Sequence, residues 1–179
     1  MICFRPVFLL YLCLSLLLLP VFAQADEVEV RAVDGHVIAS TTTAAPLSAA
    51  RALLGSPARI ARVEGRGSEV TSRPKGDCIE SEVVAPSGVG KIRYTSLSCP
   101  VDDGFEGSLV SSKQIREMEA RWTLREKDGR LEVQYDLFVV PRVRVPQRLV
   151  ALLAKRGVRR LVESVRDELD SEVAAEPSD

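Results

Sequence analysis

Residues 118–141 read MEARWTLREKDGRLEVQYDLFVVP, and the pattern inside this stretch decides the fold. Apolar side chains fall at Met118, Ala120, Trp122 and Leu124, then at Leu131, Val133, Tyr135, Leu137 and Val139, the two-residue period of strands buried on one face. Between the two runs stands Asp128-Gly129, a pair suited to the two positive φ angles of a type I′ hairpin turn. Such a turn sets Lys127 opposite Arg130 and, counting back, Leu124 opposite Val133, Trp122 opposite Tyr135 and Ala120 opposite Leu137. One face of the hairpin is then wholly apolar. The other faces Arg121 with Asp136 and Arg125 with Glu132, opposite charges across the ladder. A one-residue slip would spoil both faces at once.

After Pro141 and Pro146 the apolar residues are Leu149, Leu152, Leu153, Val158, Leu161, Val162, Val165, Leu169 and Val173. Taken as the stripe of one amphipathic helix, they are expected to lie on the hairpin's apolar face. Burying nine such side chains is worth roughly 15 to 25 kcal/mol before conformational entropy, so the helix is expected to be central to the fold. Gly157 costs about 1 kcal/mol inside a helix and marks a kink. The end of the chain is acidic and is expected to fray, which bounds a single domain at residues 26–172 with a disordered tail at 173–179.

Working upstream, two more hairpins are expected. If Ser87-Gly88-Val89-Gly90 is a turn with Pro86 opposite Lys91, then Cys78 falls opposite Cys99, within disulfide reach. The same register puts Ile79, Val83, Ala85, Ile92 and Tyr94 on one face. Glu80, Glu82, Lys91 and Arg93 share the other, expected to be solvated. No Cys-x-x-Cys spacing and no flanking cation marks the pair as redox-active. Asp34-Gly35 predicts a hairpin over residues 27–43, with Val28, Val30 and Ala32 facing Ala39 and Val37. Between these hairpins, Ala45-Pro46-Leu47-Ser48 leads into the alanine-rich Ala49 to Leu54, which with Ala58 to Glu64 reads as two short helices separated by Gly55-Ser56-Pro57. Ser68 to Ser72 and Phe105 to Ser112 are further expected strands, and Arg73 to Asp77 a turn.

Residues 1–25 read as a secretory signal: Arg5, an apolar run from Val7 to Leu19, Pro20, and small residues at Ala23 and Ala25. The run is short for a bilayer span. Export to a periplasmic or secreted location after cleavage near Ala25 is therefore expected. Removing the segment takes Arg5 alone from the charged residues, leaving 23 basic and 25 acidic side chains, a balance that argues against a nucleic-acid partner. Cys78 and Cys99 then remain in an oxidising compartment. About 150 residues can bury roughly two-thirds of their unfolded surface as one domain, here expected to be monomeric.

The order of strand pair, two small helices, further antiparallel strands and a long final helix resembles the START-like (SRPBCC) helix-grip superfamily. More narrowly it resembles the polyketide cyclase/dehydrase and lipid-transport branch, with its coenzyme Q-binding relatives. The residues that carry the resemblance are Ala45-Pro46-Leu47-Ser48-Ala49 with Leu53-Leu54, Trp122-Thr123-Leu124 with Asp128-Gly129, and Tyr135 to Pro141 leading into Pro146. Two positions depart from the pattern: Arg51 stands where members often carry a large aromatic, and Gly55 where an acidic residue commonly follows the leucine pair. The resemblance implies an α+β fold, a curved antiparallel β-sheet wrapped around a long C-terminal α-helix. It also implies an elongated apolar cavity between them for a lipid, sterol, quinone or polyketide. Tyr94, Trp122, Leu124, Val133 and Tyr135 on the sheet, with Leu149, Leu152, Leu153 and Leu161 on the helix, are the candidate ligand-binding residues.

Signs of catalysis are sparse. His36 is the sole histidine, placed beside a turn and expected to face solvent, so no His cluster offers itself to a metal and no nucleophilic triad is apparent. No phosphate loop precedes a helix. No cofactor and no catalytic residue is assigned. The expected function is an exported hydrophobic-ligand binding or transport protein, with a cyclase- or dehydratase-like enzyme and a ligand-free interaction module as alternatives. Arg148, Lys155, Arg156, Arg159 and Arg160 form a basic cluster that could touch an anionic membrane transiently.

Overall fold

Both Asp-Gly pairs turn the chain as their chemistry requires. In the computed structural model, which describes residues 27–64, 67–87 and 90–175, Asp34 and Gly35 have φ of 51° and 87°, and Asp128 and Gly129 have φ of 52° and 75°. Two successive left-handed residues match the right-handed twist of the flanking strands. The turn at Asp34-Gly35 joins β1 (Glu29–Val33) to β2 (His36–Thr43), and that at Asp128-Gly129 joins β7 (Ile115–Lys127) to β8 (Arg130–Pro141). The expected signal segment, the tip of the Ser87–Gly90 turn and the last four residues of the expected tail lie outside the described residues.

Between these hairpins come α1 (Leu47–Leu54), α2 (Pro57–Glu64), β3 (Glu69–Lys75), β4 (Cys78–Ser87), β5 (Gly90–Val101) and β6 (Gly104–Ser112). The chain closes with α3 (Gln147–Ala175). The strands form one eight-stranded antiparallel curved sheet in the order β1-β2-β8-β7-β6-β5-β4-β3. Trp122 lies opposite Tyr135, Leu124 opposite Val133 and Ala120 opposite Leu137, the register that the two-residue period and the turn dictate. Cys78 and Cys99 are joined by a disulfide across β4 and β5. Strand β3 extends to Lys75, so the expected turn narrows to Gly76 and Asp77. Pro74 is accommodated because β3 is an edge strand.

Helix α3 packs on β2, with flanking contacts to β1, β8 and α2. Val158, Val162, Val165 and Leu169 are its buried residues, and they share one core cluster with Val37, Ala39, Leu131 and Val133 of the sheet and with Val28 just before β1. Thr43 holds the far end of the helix by donating its hydroxyl to the Asp170 carboxylate at 2.5 Å.

The expectation of one apolar helix stripe is corrected here. Leu149, Leu152 and Leu153 are 43%, 46% and 39% exposed. Nine residues from Leu149 to Val158 make two and a half turns at about 3.6 residues per turn, so the two point to opposite sides of the helix. The five-residue step from Leu153 to Val158 is where the phase breaks. In phase with Val158, the first half of the helix offers the sheet Ala151 and Ala154, of which Ala154 packs against the core. The helix is continuous through Gly157 and runs to Ala175, three residues past the expected domain end at 172.

Three expectations about charge also change. Arg121 does lie opposite Asp136, yet its guanidinium pairs with Glu106 and, at 2.8 Å, with Asp103. Asp136 instead bonds Nδ1 of His36 at 2.9 Å from the other side. His36 is therefore partly covered rather than free, and its ring lies 5.1 Å from that of Phe138. Glu80, expected on a solvated face, has only 6% of its side chain exposed. Arg73 Nε at 2.7 Å and Lys75 Nζ at 2.8 Å close over it, and their hydrogen bonds, that of Lys75 first, hold its carboxyl below the ordinary glutamate range.

Candidate ligand-binding groove

The inner face of the sheet, the one toward α3, can be followed strand by strand through the register. Tyr135 and Leu137 of β8 lie opposite Trp122 and Ala120 of β7. These in turn lie opposite Phe105 and Gly107 of β6. Pro100 and Ser98 of β5 continue these rows and Ser96 lies opposite Leu109 in the next, with Ile79 and Ser81 of β4 beyond Ser98 and Ser96. A bulge at Val110 shifts the β5–β6 register, so Tyr94 comes opposite Ser112. Trp122 and Tyr135 stack with ring centroids 4.3 Å apart at 33°, a geometry in which aromatic pairs attract beyond their buried area.

The coverage of this face is uneven. Helix α3 lies over β1, β2 and β8, while α1 contacts β7 and α2 leans on β3. Beneath the helices Val133, Leu124 and Trp122 are buried, at 0%, 5% and 7% exposure. Farther across, Tyr94, Ser96, Ser98, Phe105, Leu109 and Ala120 are only half-buried, as are Tyr135 and Leu137 at the margin of the covered strip. The result is a groove with an aromatic and aliphatic floor beside the helix and hydroxyls toward β4. Ser72 and Ser81 share a hydrogen bond of 2.9 Å at its far side. Among the inner-face positions of the described strands the ionisable side chains are Tyr94, Tyr135 and Glu126; Glu126 is exposed at the turn end of β7, opposite Leu131.

One end of the groove is tied shut by the two residues that depart from the superfamily pattern. Arg51 of α1 donates to the carbonyl of Asp102 in the β5–β6 turn. Gly55, just past α1, lets that helix end seat on Phe105: an added Cβ would lie 3.3 Å from the phenyl ring. The turn is itself drawn tightly onto β7. Leu124 donates its backbone N–H to Asp103 at 2.8 Å, and a side chain at Gly104, where φ is 152°, would strike the Trp122 carbonyl. At the opposite end, Arg142 pins the β6–β7 turn through the carbonyls of Ser112 and Ile115 at 3.1 and 3.2 Å. From there the chain passes Val143 to Pro146 into α3.

The nine candidate ligand-binding residues thus divide. Trp122, Leu124, Val133, Tyr135 and Tyr94 share the inner face, and Leu161 packs against the core beside it. Leu149, Leu152 and Leu153 face away. Phe105, Leu109, Ser96 and Ser98 also belong to the inner face and were not anticipated: Ser96 and Ser98 follow Tyr94 by parity along β5, and Phe105 and Leu109 are placed by the pairing of β6, for which no register was counted from the sequence. One surface depression, of about 110 Å³, lies between α2 and α3 at Arg59, Arg62, Val63 and Glu168. A second, about 10 Å³, lies at Thr123, Arg125, Glu132 and Gln134. Neither lies between the inner face and α3, and both are smaller than the roughly 300 Å³ at which small-molecule pockets begin. Among the described residues no cluster of three or more His, Cys, Asp or Glu could hold a metal, and no helix is long and apolar enough to cross a membrane.

The sequence matches no protein-family model and no curated protein. Solved structures do resemble it. An aromatase/cyclase, Zhui, from a Streptomyces species superposes with a TM-score of 0.69 at 14% identity, over 82% of this chain and 98% of its own. A START superfamily protein from Mycobacterium smegmatis gives 0.66 at 13% identity, over 76% and 98%. A STAR-related lipid transfer protein from Xanthomonas axonopodis gives 0.65 at 16% identity, over 82% and 94%. The chain has the START-like helix-grip fold: a curved antiparallel sheet, two short helices and a long C-terminal helix laid across it.

Proposed function

We propose that this protein is an exported carrier of a hydrophobic small molecule, a lipid, sterol or quinone, held in the groove between the inner sheet face and α3. The observation that carries the reading is the half-buried inner face itself. Apolar and aromatic side chains from Tyr94 to Leu137 stand on a rigid sheet, and α3 covers only one margin of them. Transfer of a ligand's hydrocarbon from water to that floor supplies affinity at about 25 cal/mol per Å². The ligand enlarges the groove by moving the first half of α3, whose inner side carries only the small Ala151 and Ala154. Export is supported by the Cys78–Cys99 disulfide, a bond that persists in oxidising compartments. Pickup and delivery bring the basic first half of α3 to an anionic membrane.

The likeness to an aromatase/cyclase raises catalysis on a polyketide as a second reading. Such chemistry calls for acid or base groups at the reacting chain, and the inner face offers serine and tyrosine hydroxyls. Binding without turnover fits those residues better. Native mass spectrometry of the mature protein, followed by organic extraction, tests the proposal. A discrete co-purifying lipid or quinone is the expected result. An empty protein that also refuses a panel of lipids, sterols and quinones would overturn it in favour of an interaction module.

A further inference from the structure

We infer that the first half of α3 is a membrane-docking element, its outward leucines entering the interface of an anionic bilayer while the flanking arginines bind the headgroups. The inference rests on the carrier reading for its purpose, since a carrier must meet its membrane, but its chemistry stands independently. The helix has two apolar faces of opposite direction. Val158, Val162, Val165 and Leu169 build the core, whereas Leu149, Leu152 and Leu153, at steps of three and one, point the other way and are each about 40% exposed or more. Val143, in the segment leading into the helix, is 64% exposed. Continuing the outward stripe at helical spacing brings Arg156 and Arg160, both exposed.

Charge complementarity identifies the occupant. Between Asp136 and Glu163 the sequence holds seven arginines and lysines and no acidic residue. Arg142 is spent on backbone carbonyls, and Arg159 faces Glu27 at 3.8 Å. Arg144, Arg148 and Arg156 are exposed, and among the described residues no carboxylate lies within ion-pairing distance of them. A short apolar ridge with an uncompensated basic border is the composition of a helix lying in an interface, where anionic lipid adds attraction to each cation near the surface. A second copy of the chain would present the same uncompensated charge. Four half-exposed aliphatic side chains also supply far less than the roughly 800 Å² per partner of a stable protein interface.

The test uses the mature protein with vesicles of phosphatidylcholine alone and with added phosphatidylglycerol, at low salt. Leu152→Ser/Leu153→Ser and Arg148→Glu/Arg156→Glu are compared with the parent after denaturation curves show both folded, as the exposure of these residues leads one to expect. Expected is sedimentation of the parent with the anionic vesicles only, and a loss of about tenfold or more in partitioning for each double variant. Equal partitioning of parent and variants, or none by the parent, would overturn the docking face. So would a parent dimer in analytical ultracentrifugation that either double variant dissolves. Ligand occupancy, read by native mass spectrometry on the same samples, separates the two readings: an occupied protein that ignores vesicles sinks only the docking face, and an empty one that docks sinks only the carrier.

Discussion

Leu149 and Val158, nine residues apart on one continuous helix, face opposite ways: the first is 43% exposed and the second 2%. The stability of the domain should therefore respond very differently along α3. Leu169→Ala, at a fully buried position, should cost about 2 to 5 kcal/mol. Leu152→Ala should stay within about 0.5 kcal/mol of the parent. Urea denaturation of the oxidised protein measures both, and a comparable loss from the two changes would contradict the two-faced helix.

Gly157 lies within α3, and a Cβ added there would meet nothing within 4 Å. Its backbone is helical, so Gly157→Ala is expected to stabilise by about 1 kcal/mol through lower unfolded-state entropy and better helix propensity. A fall in stability, read by urea denaturation, would contradict this.

The Cys78–Cys99 bridge closes a loop with a sequence separation of 21 residues. Replacing both cysteines by serine, or reducing the parent, should lower stability by about 3 kcal/mol on the chain-entropy account. The serine pair should also lose all dependence on reductant. A parent whose midpoint does not move on full reduction would contradict this.

Glu80 gives a pH signature whose sign follows from its partners. Lys75 and Arg73 hold its folded pKa below the unfolded one, so the contribution is complete above the unfolded value, near 4.3, and disappears as pH falls through the lower folded value. Glu80→Gln should therefore be less stable than the parent by a constant margin from pH 7 to about 5, with the margin shrinking below about pH 4. A margin unchanged down to pH 2 would mean that the loss is one of packing and not of charge.

Trp122 is the sole tryptophan and stacks on Tyr135 at the margin of the groove. A quinone or conjugated lipid bound beside it should quench or shift its emission saturably, at a ligand ratio near one. Tyr94→Ala, remote from the stack and on the open side, should weaken that titration without altering the emission of the free protein. A titration unaffected by the change would place the ligand elsewhere.

Much of this fold is legible from local rules. The Asp-Gly turns, the period-two runs around Trp122 and Tyr135, and the count that brings Cys78 opposite Cys99 all depend on residues close in sequence, where one turn sets the register of everything after it. The same logic fails where a register is interrupted or a partner arrives from a distant strand. Phe105 and Leu109 reach the inner face through the pairing of β6, whose register was not counted from the sequence. His36 found Asp136 a hundred residues away, and Arg73 and Lys75 converged on Glu80 only because β3 runs three residues further than its turn composition implied.

By itself, then, the sequence determined three hairpin pairings, the disulfide and the existence of a long helix, since each follows from backbone periodicity and turn chemistry. Only the tertiary structure decided which way that helix faces. Periodicity marks apolar positions but not the element that covers them. With α3 seated over β1, β2 and β8, the five-residue step after Leu153 turned three expected groove residues outward and left the floor from Tyr94 to Leu137 half-open.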